Sequence, residues 1–159
     1  MNAKAATKGQ ANSKGGGFSP EEKMAMLTRA RELKAEAREQ KNRAAGEKAL
    51  LGAISAMKEP DRSMGLRLHE IVVSAAPGLM PKTWYGMPAY TNHDDKVICF
   101  FQASGKFNTR YSTIGFQPDA NLDDRNMWAT AYALVELTSA EEERIRTLVR
   151  KAAQPRARS

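Results

Sequence analysis

Cysteine is nearly absent from this chain, and its scarcity is the first constraint. Cys99 is the one thiol in 159 residues, which excludes an internal disulfide and a zinc site built on thiolates. Histidine is almost as scarce, with His69 and His93 the only imidazoles. No apolar run approaches the roughly 18–20 residues that a membrane span requires, and the amino-terminus carries no apolar block of the kind a secretory signal needs. These absences point to a reducing, cytoplasmic setting and to no membrane partner. Phosphate-cradling loops are lacking too: Gly105-Lys106 has none of the P-loop spacing, and Gly15-Gly16-Gly17 follows no strand. No serine sits in a nucleophile elbow and neither histidine has an evident orienting partner, so the expectation leans to a non-enzymatic role.

What is present is a globular balance, 42% hydrophobic and 27% charged residues, enough for one domain with extensions. The net charge is +7, but it is unevenly placed. Residues 1–60 hold 12 Lys/Arg against 7 Asp/Glu, residues 61–150 hold 10 against 11, and the last nine hold 3 against none. Basic ends flank an electrically balanced middle. Salt-sensitive association with nucleic acid through the basic helix and tails is therefore one alternative function.

Residues 1–17 have nothing to pack and read as a disordered basic tail. Ser19-Pro20-Glu21-Glu22 is a capping-box pattern that opens a helix running to about Arg43, with a thin apolar stripe at Met26, Ala30, Leu33 and Ala37. Such a helix either drapes over a core or serves as a partner-binding arm. Gly46 separates it from a second helix carrying Leu50, Leu51, Ile54 and Met57, which ends at Lys58-Glu59-Pro60. Residues 18–58 thus form a helical extension. A domain over residues 59–153 follows, and 154–159 is a basic tail.

Within that domain, Met64, Leu68, Ile71, Val72 and Ala75 mark an amphipathic helix, with His69 at its boundary. Short segments rich in β-branched and aromatic residues come next: Thr83–Tyr85, Val97–Gln102, Arg110–Phe116 and Tyr132–Leu137. Connections this short imply antiparallel pairing. Val97–Phe101 is apolar at every position, as expected of a central strand covered on both faces, with Cys99 a core thiol. A short helix is expected near Leu122–Met127. Thr138-Ser139-Ala140-Glu141 is a second capping box, opening a helix to about Ala153. The expected fold is α+β: an antiparallel sheet of about four to five short strands packed with helices, preceded by the helical extension.

The densest stretch of rings and turn-formers is Pro81-Lys82-Thr83-Trp84-Tyr85-Gly86-Met87-Pro88-Ala89-Tyr90, read as a strand entering a rigid corner at Gly86-Met87-Pro88. Alternation on a strand sends Trp84 and Tyr85 to opposite faces, so one face carries exposed rings. Trp84, Tyr85, Met87, Tyr90, Gln102, Lys106, Arg110 and Tyr111 form the candidate ligand-binding set, suited to a flat or anionic ligand through stacking and charge. The other reading is that these rings pack under the helices. Two acidic groups, His93-Asp94-Asp95 and Asp119 with Asp123 and Asp124, are candidate ligands for iron or manganese. A calcium loop at 119–130 fails, because Asp124 stands where glycine is needed and Thr130 where glutamate is.

That ring-rich decapeptide, followed by Lys96-Val97-Ile98-Cys99-Phe100-Phe101 and the segment Phe107–Tyr111, resembles the YdhG-like family, a bacterial domain of unknown function. The likeness spans about Asp61 to Ala152. Phe18-Ser19-Pro20-Glu21-Glu22 resembles an extension carried by some members. The resemblance implies a compact α+β fold with an antiparallel sheet, and one functional lead, a frataxin-like intracellular iron chaperone. The leading expectation is a binding module for a small ligand or a protein.

Overall fold

The computed structural model describes residues 17–155. The chain divides into two compact units, Met1–Lys41 and Asn42–Ser159. The tail expected over 1–17 lies outside the described residues except for Gly17, and that over 154–159 except for Gln154 and Pro155.

In the first unit the described residues begin helix α1 (Pro20–Ser55), which continues into the second. The Ser19 capping box forms as its sequence predicts: the Glu22 amide donates to Ser19 Oγ at 3.1 Å and the Ser19 amide donates to Glu22 Oε1 at 2.7 Å. Every residue from Pro20 to Lys41 is exposed, including Met26 and Leu33 of the expected apolar stripe.

In the second unit the order is the end of α1, then α2 (Asp61–Ala75), β1 (Met80–Trp84), β2 (Met87–Thr91), β3 (Val97–Gln102), α3 (Ser104–Phe107), β4 (Ser112–Phe116), β5 (Ala131–Leu134) and α4 (Ser139–Ala152). The strands form one antiparallel meander in sequence order, so the α+β expectation holds. Register and alternation sort the side chains into two faces. Tyr90, Cys99, Phe101, Ile114, Phe116 and Leu134 share one face and one hydrophobic core with Leu50 and Ile54 of α1, Leu68, Ile71 and Val72 of α2, and Ile145 and Val149 of α4. Trp84, Met87, Ala89, Phe100, Gln102, Thr113 and Gly115 share the other face. Met87 and Ala89 are buried, yet neither belongs to that core.

Several local expectations give way to longer-range packing. Gly46 does not break α1. A Cβ built there would lie 2.1 Å from the Pro81 carbonyl oxygen, so glycine is required where the helix crosses β1. Leu50 and Ile54 of the expected helical extension are fully buried in the core of the second unit, Asn42–Ser159. The corner at Gly86-Met87-Pro88 is instead a two-residue hairpin turn at Tyr85-Gly86, and Met87 already belongs to β2, a strand the sequence reading missed. The helix expected near Leu122–Met127 is irregular chain, whereas α3 was not anticipated. Asp61 explains α3. Its buried carboxylate accepts from the Gly105 amide at 2.9 Å, Ser112 Oγ at 3.1 Å and Ser104 Oγ at 3.3 Å, tying the start of α2 to α3 and β4. Asn108, left-handed at φ 54°, ends the turn.

Gly46→Ala separates two roles for this glycine. A free helical glycine gains roughly 1 kcal/mol on replacement by alanine, whereas overpacking against backbone costs roughly 1–3 kcal/mol. The urea midpoint of Gly46→Ala is expected to fall; a rise would place Gly46 away from β1.

Candidate binding face

The face opposite the helical core takes its shape from the β1–β2 hairpin. Trp84 pairs with Met87 across the turn, leaving Tyr85 and Gly86 as the loop, with φ of 50° and 76°. Positive φ at both central positions is the mirror-image turn whose twist matches paired strands. Glycine takes it freely, and tyrosine at a cost of roughly 1–2 kcal/mol. Tyr85 is therefore at the tip, 81% exposed, and not on a strand opposite Trp84 as the sequence reading had it. Its ring meets the Trp84 ring edge-on at 5.1 Å between centroids.

Trp84 also contacts Phe100, with centroids 5.3 Å apart and planes tilted by 56°. Phe100 lies flat over β4 because its neighbour there is Gly115: a Cβ on that glycine would come within 2.2 Å of Phe100 Cζ. The result is a ledge of rings from the hairpin tip across the sheet, with Trp84 and Phe100 both half-buried and Gln102 and Thr113 beside them. Lys106 Nζ donates to the Gly86 carbonyl at 2.9 Å and holds the tip against α3. Lys82, beyond Trp84 on β1, is 3.6 Å from Asp95.

The eight candidate binding residues do not form one cluster. Trp84 and Gln102 lie on the open face, Tyr85 is at the hairpin tip, and Lys106 reaches that tip from α3 through the Gly86 carbonyl. Arg110 and Tyr111 are exposed just before β4, where the guanidinium carbon sits 5.1 Å from the Tyr111 ring centroid. Met87, paired with Trp84 across the turn, is buried. Tyr90 is 4% exposed on the helix-covered face, where its hydroxyl lies 2.8 Å from His69 Nδ1. His69 is no boundary residue: it is buried, and its Nε2 lies 2.7 Å from Glu47 Oε2. Burial, followed by the Cys99 and Glu47 charges, raises the Tyr90 hydroxyl well above its usual range. Phe100 was missed, because an all-apolar strand reads as covered on both sides; its facing Gly115 is the signal that marks the ring's position.

Of the acidic groups, His93, Asp94 and Asp95 lie in the β2–β3 turn, where Asn92 Oδ1 accepts from the Asp94 and Lys96 amides at 2.9 and 3.0 Å. Asp119, Asp123 and Asp124 lie in the β4–β5 connection. Among the described residues no three His, Cys, Asp or Glu side chains converge as a metal site would need. Cys99 is fully packed, and burial pushes its thiol from 9.0 up to about 12. No described helix is long and apolar enough to cross a membrane. Scans of protein-family models, of curated proteins and of solved structures each found no match to the chain.

The Cys99 shift has a definite sign. Unfolded chains release the thiol proton near pH 9 while folded chains keep it to about pH 12, so stability present below pH 9 is lost as pH rises across that window. Tyr90 acts in the same direction at higher pH. Urea midpoints should fall above pH 9, with the Cys99 share approaching about 1.4 kcal/mol per pH unit, and Cys99→Ala should flatten that fall. Equal pH slopes for the two proteins would contradict the burial of the thiol.

Proposed function

We propose that this protein is a non-enzymatic binding module of the YdhG-like kind, acting in the cytoplasm and receiving its ligand on the open sheet face. The observation that carries the reading is the ledge formed by Trp84 and Phe100, with Tyr85 at its tip. Half-buried rings held in fixed orientation offer stacking surface at little further entropic cost, and Lys106 at the edge supplies positive charge. The ligand class that fits is flat and anionic. Since the ledge projects from a pinned hairpin and a central strand, binding requires no rearrangement of the core.

The anionic naphthalene dye 8-anilinonaphthalene-1-sulfonate is a suitable probe. Saturable fluorescence enhancement is expected with the full chain at neutral pH. Trp84→Ala and Phe100→Ala are each expected to weaken it by about tenfold or more, as loss of a stacking ring worth about 1–3 kcal/mol requires, while far-ultraviolet circular dichroism stays unchanged. Folded variants that bind the dye as tightly as the parent would remove the ledge from the account.

A further inference from the structure

The β4–β5 connection, residues 117–130, contains neither helix nor strand. Irregular loops beyond about 12–15 residues are uncommon in compact domains and tend to be functional when they are ordered. This one is pinned along its length. At its ends the Phe116 amide donates to the Thr130 carbonyl at 2.8 Å and the Gln117 amide to the Ile98 carbonyl at 3.1 Å. Midway, the Asn121 amide donates to the Ala152 carbonyl at the end of α4 at 3.0 Å. The loop is therefore preformed, and it encloses space: a cleft of about 390 Å³ whose lining includes Phe116, Pro118, Leu122, Asp123, Trp128 and Thr130. Small-molecule sites span roughly 300–1,000 Å³ and combine apolar walls with a few polar groups.

The chemistry of the lining is selective. Phe116 and Leu122 are each 5% exposed and give the cleft an apolar floor, while Trp128, 39% exposed, stands at its mouth. Among the described residues of the lining, Asp123 is the one ionisable side chain, and none is a lysine or arginine. The connection carries three aspartates against one arginine, in a chain whose net charge is +7. Among the described residues no three His, Cys, Asp or Glu side chains converge at this lining as a metal-binding cluster. An ammonium attached to an apolar body meets both demands, because indole rings attract cations and the carboxylate supplies the counter-charge.

We propose that this cleft binds a small organic cation, an ammonium group on an apolar or aromatic body. It is separate from the ring ledge, since Phe116 belongs to the helix-covered face and Trp84 to the other.

Calorimetric titration of the full chain with benzyltrimethylammonium chloride tests it, with sodium benzoate and benzyl alcohol as matched anionic and neutral probes. The cation is expected to give saturable heat. Asp123→Asn and Trp128→Ala, both at exposed positions, are each expected to weaken binding by about tenfold or more, with near-ultraviolet circular dichroism confirming the fold. Absence of saturable heat from the cation, unchanged affinity in either variant, or equal affinity for benzoate would overturn the proposal.

Discussion

The end of α1, from Leu50 to Ile54, joins α2 and α4 in burying apolar residues on a single face of the sheet, and the rest of the domain follows from that constraint. Leu50, Ile54, Ile71 and Val149 are almost completely buried, each against the same side of the meander. A sheet with one covered face must solve a second problem at its other face, where β-branched and aromatic residues would otherwise meet water unsupported. Here the solution is local. Small residues, Ala89 and Gly115, flank Phe100 on the neighbouring strands, its ring lies over Gly115, and Trp84 packs against that ring. The same device that seals the sheet leaves aromatic surface facing outward.

Polar groups reinforce this asymmetry. Two polar networks, centred on the buried Asp61 and the buried His69, hold the helical layer in place. Asp61 accepts from the Gly105 amide of α3 and from the Ser112 hydroxyl, which itself accepts from the Ser104 amide, and the Glu47–His69–Tyr90 chain links α1, α2 and β2. Among the described residues, no buried side-chain nitrogen or oxygen lacks a partner. Interiors in which polar groups are fully satisfied are rigid and specific. A rigid layer behind β2 and β3 anchors the strand of Phe100 and the strand that pairs with Trp84. Lys106 completes the arrangement by tethering the hairpin tip at Gly86.

How much of this was legible in the sequence depended on the distance over which each residue makes its contacts. Ser19 with Glu22 and Thr138 with Glu141 bond within three residues, so both helix starts were readable. Helix α2 was legible through its apolar spacing, and β3 through its unbroken run of apolar residues. Gly46 and His69 were misread because the atoms that define them, the Pro81 carbonyl and the Glu47 and Tyr90 side chains, are distant in sequence. Strand β2 was hidden by Pro88, which suggests a corner although it pairs in register with Thr83. In the candidate site, Trp84, Tyr85 and Lys106 were identifiable as residue types. Their common location was not, because it depends on a positive φ at Tyr85 that few sequences would specify there. Trp128 stood in a loop without periodicity, and only the fold shows that it borders a cleft.

The central claim is that the two faces of the sheet differ, with rings on one side open to solvent and rings on the other packed under helices. Hydroxyl-radical footprinting of the full chain, read by mass spectrometry at single residues, measures this directly. Trp84 and Phe100 are expected to be modified while Tyr90 and Phe101 stay protected, in keeping with the 4% and 3% exposure of the latter pair. Protection of Trp84 and Phe100 to the same degree as Tyr90 and Phe101 would contradict the account.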